Sequence, residues 1–166
     1  MSVIAARIYK NANKIVMASD SIMVKGWSKT TQNTTKLVSI NGMIMGVTGH
    51  CDEASLMFKY METHKPLAPT ERDVLDFVVE FSQWKRDYSG DTVIRDTYLL
   101  AYGGHLFCME GIFVYEVKEY ESVGAGEDFA KAALYLGHSP QEAVKVACEL
   151  SCFVCEPIVI YEQDIN

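Results

Sequence analysis

The sequence predicts an α+β fold, a four-layer αββα sandwich of two stacked, mainly antiparallel sheets. Three observations predict it. Short β-type runs come in adjacent pairs joined by turns, helical segments also come in consecutive pairs, and the 166 residues read as one domain, 1–166, with no internal linker or low-complexity tract. Two adjacent helices cannot form a βαβ crossover, so a doubly wound parallel sheet loses ground and each helix pair must cover a sheet face.

The elements follow in order. VIAARIY and KIVMASD flank KNAN and predict a first hairpin. KLVSI and MIMGVT flank Asn41-Gly42, a dipeptide suited to the positive φ values of a type I′ turn, and predict a second. Between the hairpins, SIMVKGWSKTTQNTTK is polar and threonine-rich and reads as an irregular loop or a ragged strand. HCDEASLMFKYMETH predicts a helix with Leu56, Tyr60 and Met61 near one face, acidic residues in its first turn, and Pro66 as the residue that ends it.

Thr70 with Asp73 marks the start of a second helix, in which Val74, Phe77, Val78, Phe81 and Trp84 recur three and four apart. Leu75 and Val79 lie off that stripe, leaving apolar surface for a neighbouring subunit. TYLLAYG, HLFCME and GIFVYEV predict a three-stranded meander that ESVGAG ends. Residues 127–137 and 139 to about 154 predict the second helix pair, the latter opened by Ser139 as N-cap, Pro140 at the first helical position and Glu142 completing a capping box. PIVIYE closes the chain as a strand.

Composition narrows the function. Fifteen Lys and Arg against 22 Asp and Glu give a net charge of −7, which argues against a protein that grips nucleic-acid phosphates by general charge. No run of 18 apolar residues and no charged n-region with an apolar core occurs, so the expectation is a cytoplasmic protein with no membrane partner. Five cysteines in such a chain are expected to be reduced thiols rather than a disulfide framework.

The chemistry begins at Ser2. Methionine before a small residue is commonly removed, which would make Ser2 the first residue, carrying both a hydroxyl nucleophile and an α-amine of pKa about 7.7–8.0 able to take its proton. Asp20 ends the second strand and Lys36 heads the third, each beside apolar positions where an isolated charge is costly, so the two are expected to form a buried pair. Beside Ser2, that ammonium would lower the proton affinity of the amine and the carboxylate would hold the ammonium in place.

Ser2, the small-small-Asp run Ala18-Ser19-Asp20, Lys36, the turn Gly46-Val47-Thr48-Gly49 and the later Val123-Gly124-Ala125-Gly126 with AKAAL resemble, in that order and nearly end to end, the proteasome β-subunits and especially the bacterial HslV peptidases of the N-terminal nucleophile hydrolase class. The resemblance implies an N-terminal-serine peptidase that cleaves unfolded polypeptide or peptides through an acyl-enzyme. Ser2 would be the nucleophile, Lys36 would tune its amine, Asp20 would orient Lys36, and the Gly49 N–H would be the oxyanion donor. It further implies a homo-oligomer, most plausibly a double ring, with an ATPase unfoldase as a possible partner and no cofactor or metal. The alternative is a ring subunit of the same fold with a structural or assembly role and no turnover. Ala125 stands where the family usually has serine, the segment Cys152-Phe153-Val154 offers no aspartate where the family usually has one, and a retained Met1 would block the amine.

Other candidates carry less. Cys148, Cys152 and Cys155 are spaced as on a helix but lack the fourth ligand of a structural zinc site, and buried small hydrophobes is the better reading. His50 and Cys51 are expected to line a substrate pocket rather than to act as a Cys-His pair. Met43, Met45, Met57 and Met61 are expected to pack sheet against helix.

Overall fold

A computed structural model describes residues 1–31 and 35–165. In chain order its elements are β1 (Ile4–Tyr9), β2 (Lys14–Ser19), β3 (Met23–Lys25), β4 (Ser28–Thr30), β5 (Leu37–Ile40), β6 (Met43–Thr48), α1 (Cys51–Met61) and α2 (Glu71–Ser89). They continue with β7 (Thr97–Tyr102), β8 (His105–Glu110), β9 (Phe113–Val117), β10 (Tyr120–Val123), α3 (Glu127–Tyr135), α4 (Pro140–Leu150) and β11 (Val159–Asp164). One sheet runs β10-β1-β2-β11 and the other β5-β6-β7-β8-β9, with every pairing antiparallel.

The strand period builds the layers. In β6 Met43, Met45 and Val47 face α1 and α2, while Ile44 faces the other sheet. Tyr98 and Leu100 against Leu99 and Ala101 repeat the alternation in β7, as do Phe107 and Met109 against Leu106 and Cys108 in β8. Across the interface Ile4, Ala6, Ile15 and Met17 complete the inter-sheet core, and Val3, Ala5 and Ala18 point outward onto Ala130, Leu134, Val144 and Ala147 of α3 and α4. A strand buried on both faces carries a continuous apolar run, as MIMGVT and TYLLAY do. The layers are therefore helix, sheet, sheet, helix, and the four methionines of the expected sheet-helix packing, Met43, Met45, Met57 and Met61, are all fully buried there.

The caps are where the sequence puts them. Thr70 accepts the Asp73 N–H at the head of α2, and Ser139 and Glu142 form a reciprocal capping box at α4. Asn41 and Gly42 hold φ values of 53° and 77°, as the β5–β6 turn requires.

The structure corrects four readings. The expected loop between the hairpins contains a small hairpin, β3–β4, whose turn carries the exposed Trp27; positions 32–34 of that loop lie outside the described residues. The meander does not stop at ESVGAG, because its first residues belong to β10, which leaves the second sheet and pairs with β1, Ile4 opposite Val123. Local pattern cannot tell a chain that ends a sheet from one that changes sheets. The helix α1 stops at Met61, ahead of Pro66, and α4 stops at Leu150 rather than near Val154, where Ser151 turns extended. Consequently Cys152 and Cys155 do not share a helix with Cys148.

Candidate active site

The start of β1, the end of β2, the head of β5 and the end of β6 converge at one end of the sandwich. Asp20 follows directly on β2 and is buried. Its Oδ1 accepts the Val3 N–H at 2.9 Å, and its Oδ2 accepts those of Ile22 at 3.1 Å and Cys155 at 3.4 Å. The Asp20 N–H returns a bond to the Val3 carbonyl at 3.2 Å. Lys36, also buried, brings Nζ to 2.8 and 2.9 Å from the two carboxylate oxygens. Such an ion pair is tolerable without solvent because each charge is matched and the carboxylate is saturated with donors. Burial pulls the Lys36 pKa below the usual lysine range, and Asp20 opposes that pull without cancelling it.

Ser2 lies against this pair. Its carbonyl accepts the Gly126 N–H at 3.2 Å, and the turn after β10 closes over it so tightly that a Cβ on Gly124, whose φ is 101°, would stand 2.5 Å from that oxygen. The Ser2 hydroxyl donates to the Met1 carbonyl, and Lys36 Nζ reaches the same carbonyl at 3.4 Å. Met1 thus occupies the position where an exposed Ser2 amine would meet the lysine.

Ser2, Lys36 and Gly49 line one pocket of about 390 Å³ together with His50, Cys51 and Met23. All four residues singled out from the sequence are therefore brought to one locus, Asp20 behind Lys36 and the other three on the pocket wall. His50 and Cys51 line it as expected. Cys148 does not compete as a nucleophile: burial, with the Asp20 charge adding to it, pushes its thiol up to about 12. Among the described residues no group of three His, Cys, Asp or Glu side chains is arranged to hold a metal ion.

Sequence reasoning missed a second buried polar cluster behind Gly49. Glu53, expected only as a first-turn acid of α1, is buried and accepts the N–H groups of Arg95 and Asp96 at 3.0 Å each and the Tyr98 hydroxyl at 2.9 Å. Lys85 of α2 lies 3.5 Å from Glu53 and 3.2 Å from Asp91. Asp96 is buried above it, with Oδ1 at 2.6 Å from the His50 N–H and 3.1 Å from His50 Nδ1. A polar residue just before an apolar strand is an ordinary sight, so Asp96 carried no signal in the sequence.

No family model and no curated protein matches the sequence. Solved structures match along the whole chain. Thiobacillus denitrificans BPH superposes with a TM-score of 0.87 at 16% identity, covering 100% of this chain and 99% of that one. The same protein in complex with epoxomicin gives 0.85 at 15%, covering 99% of each. The eukaryotic HslV from Trypanosoma brucei gives 0.74 at 18%, covering 98% and 99%. The chain has an HslV-like fold. The expected four-layer α+β sandwich with two antiparallel sheets is thus the architecture of these HslV-like neighbours. Among the described residues no helix of this HslV-like chain is long and apolar enough to cross a membrane.

Proposed function

We propose that the chain is an N-terminal-serine peptidase of the HslV type, acting once whatever precedes Ser2 has been removed. The observation that carries the reading is the buried Asp20–Lys36 pair set against Ser2, with Lys36 Nζ 2.8 Å from the carboxylate and already pointed at the residue that would leave. A buried ion pair is weak as a stabilising device, since an apolar pair of similar volume commonly does as well. Beside a serine hydroxyl and a new α-amine it has chemical use.

In the proposed reaction Ser2 Oγ adds to the substrate carbonyl carbon as its proton passes to the Ser2 amine. The oxyanion is met by the Gly49 N–H, and the same proton goes to the departing peptide nitrogen as the C–N bond breaks. Water, giving its proton to the amine, then attacks the resulting ester, and Ser2 Oγ leaves with that proton. Lys36 keeps the amine's proton affinity low enough for this traffic, and Asp20 keeps Lys36 in place.

Epoxomicin, bound in the solved BPH complex, is the probe of choice because an epoxyketone needs hydroxyl and free amine together to close its ring adduct. Protein lacking Met1 should gain one inhibitor mass and hydrolyse a fluorogenic peptide, and Ser2→Ala should do neither. Absence of both in Met1-free wild-type protein overturns the reading. The second reading is a non-catalytic subunit of the same fold, favoured by one observation: with Met1 attached, its carbonyl takes up both the Ser2 hydroxyl and Lys36. Intact mass of protein from its natural host decides between them, since retained Met1 leaves no amine.

The proposal extends to assembly. A cytoplasmic peptidase with an open site calls for confinement, and closed symmetry provides it. Val79 on α2, 41% exposed, and the fully protruding Leu67 leave apolar surface for a neighbour. Sizing in dilute, low-salt buffer should give several times the 18.6 kDa of one chain, as a double ring would. A monomer at micromolar concentration defeats confinement, and an ATPase unfoldase would then have nothing to feed.

A further inference from the structure

Asp96 makes a bond that its surroundings do not need in charged form. The His50 N–H at the start of α1 could be satisfied on its own by a serine or threonine hydroxyl without burying a charge. Instead a buried carboxylate holds His50 twice through one oxygen, by the backbone N–H at 2.6 Å and by ring Nδ1 at 3.1 Å. Its other oxygen, Oδ2, is buried with no hydrogen-bond partner among the described residues. Leaving a charged acceptor half-satisfied is costly. The backbone accommodates the arrangement as well. Gly49 sits at φ 139°, and a Cβ there would lie 2.1 Å from Asp96 Oδ1, so the carboxylate fills the space a side chain would take. Gly49 and His50 both line the pocket that holds Ser2 and Lys36.

We propose that Asp96 is a positioning residue of the peptidase site, fixing the Gly49–His50 turn so that the Gly49 N–H faces the attacked carbonyl and the His50 ring is held at the pocket wall as its Nδ1–H tautomer. The proposal rests on Ser2 being the nucleophile. It goes beyond the Ser2, Asp20 and Lys36 set because it names a second carboxylate, from the other sheet, on which the oxyanion donor depends.

The groups around Asp96 determine how it responds to pH. Glu53 of α1 accepts the Asp96 backbone N–H and adds a negative charge. Lys85 of α2 answers Glu53 and Asp91, Arg95 is engaged by Asp91 at 2.8 Å, and the Tyr98 hydroxyl of β7 also binds Glu53. His50 is thus the cation-capable group directly on the Asp96 carboxylate. Burial, with Glu53 adding to it, raises the Asp96 carboxyl to about 6.

The test compares Met1-free wild type with Asp96→Asn and His50→Gln on a fluorogenic peptide from pH 5 to 8.5, with the His50 tautomer read by 15N NMR. The Ser2 amine alone gives an acid limb of slope one in log kcat/KM; Asp96 should steepen it to two below about pH 6. Asp96→Asn should keep slope one throughout and lower kcat at least tenfold at pH 7.5, with KM within about twofold, the mark of an interaction made in the transition state. His50→Gln, which keeps the backbone N–H on Asp96, should retain the steep limb and guards against an Asp96→Asn protein that fails to fold. Active wild type with slope one, or Asp96→Asn with wild-type kcat, overturns the proposal. Wild type that neither hydrolyses peptide nor takes up epoxomicin overturns the Ser2 reading, and the tautomer then judges positioning by itself: Nδ1–H in wild type, lost in Asp96→Asn, upholds it, and a mixed tautomer in wild type sinks it.

Discussion

Two buried carboxylates lie behind the pocket lining, Asp20 on Lys36 and Asp96 on His50, and are treated in opposite ways. Asp20, from the first sheet, receives three backbone N–H groups and a lysine at 2.8 and 2.9 Å, so its charge is spent on geometry. Asp96, from the segment entering the second sheet, receives one residue on one oxygen and leaves the other without a partner among the described residues. Fully matched, a buried charge is held rigid; only partly matched at Asp96, it is desolvated without full compensation, and its carboxyl is raised to about 6. The site thus has a fixed wall and a responsive wall.

The largest effect should come from breaking the fixed wall. Asp20→Asn leaves the Lys36 ammonium buried against a neutral amide and should cost about 3–5 kcal/mol in urea unfolding, with peptide hydrolysis down more than a hundredfold. Replacing both, Asp20→Asn with Lys36→Met, should return much of the stability and none of the activity. A single variant as stable as wild type would mean that the pair is not desolvated in solution.

These two walls differ equally in how they read from sequence. Asp20 and Lys36 sit at strand ends predicted by apolar period, and charges beside such strands already imply a pair. Asp96 is brought to His50 only because β6 and β7 pair with Thr48 opposite Thr97, a register no local pattern reveals. The same limit explains β10, whose residues look like the end of one sheet and belong to the other. Cores, caps and the Asn41-Gly42 turn are local chemistry and were legible. Pairings between strands far apart in sequence are not local, and both the missed strand and the missed carboxylate depend on them.

A smaller effect tests the responsive wall without any substrate. The folded-state value of Asp96, about 6, lies above its ordinary 3.8, so the native state holds a proton that the unfolded chain has released between those values. Stability contributed by the protonated form is therefore full below pH 4 and lost as pH rises toward 6. The difference in unfolding free energy between Asp96→Asn and wild type should move in favour of the variant by about 1–2 kcal/mol from pH 4 to 7, allowing for solvent screening. It should be flat above pH 7. A difference independent of pH would show that Asp96 titrates as an ordinary carboxylate.

Smallest, and most specific to the geometry, is the influence of Glu53 on Asp96. Glu53→Gln keeps an acceptor for the Arg95 and Asp96 N–H groups and the Tyr98 hydroxyl but removes the negative charge beneath Asp96, leaving Lys85 to Asp91. Burial is the leading cause of the Asp96 shift and Glu53 a lesser one, so the Asp96 titration, followed by its carboxyl 13C resonance, should fall below 6 yet stay above the ordinary aspartate value. The steep limb of the pH profile should shift down by the same amount, because one proton would govern both. An Asp96 titration that moves while the limb stays would assign the limb to another group, and Asp96 would be left as a helix cap with an unusually expensive charge.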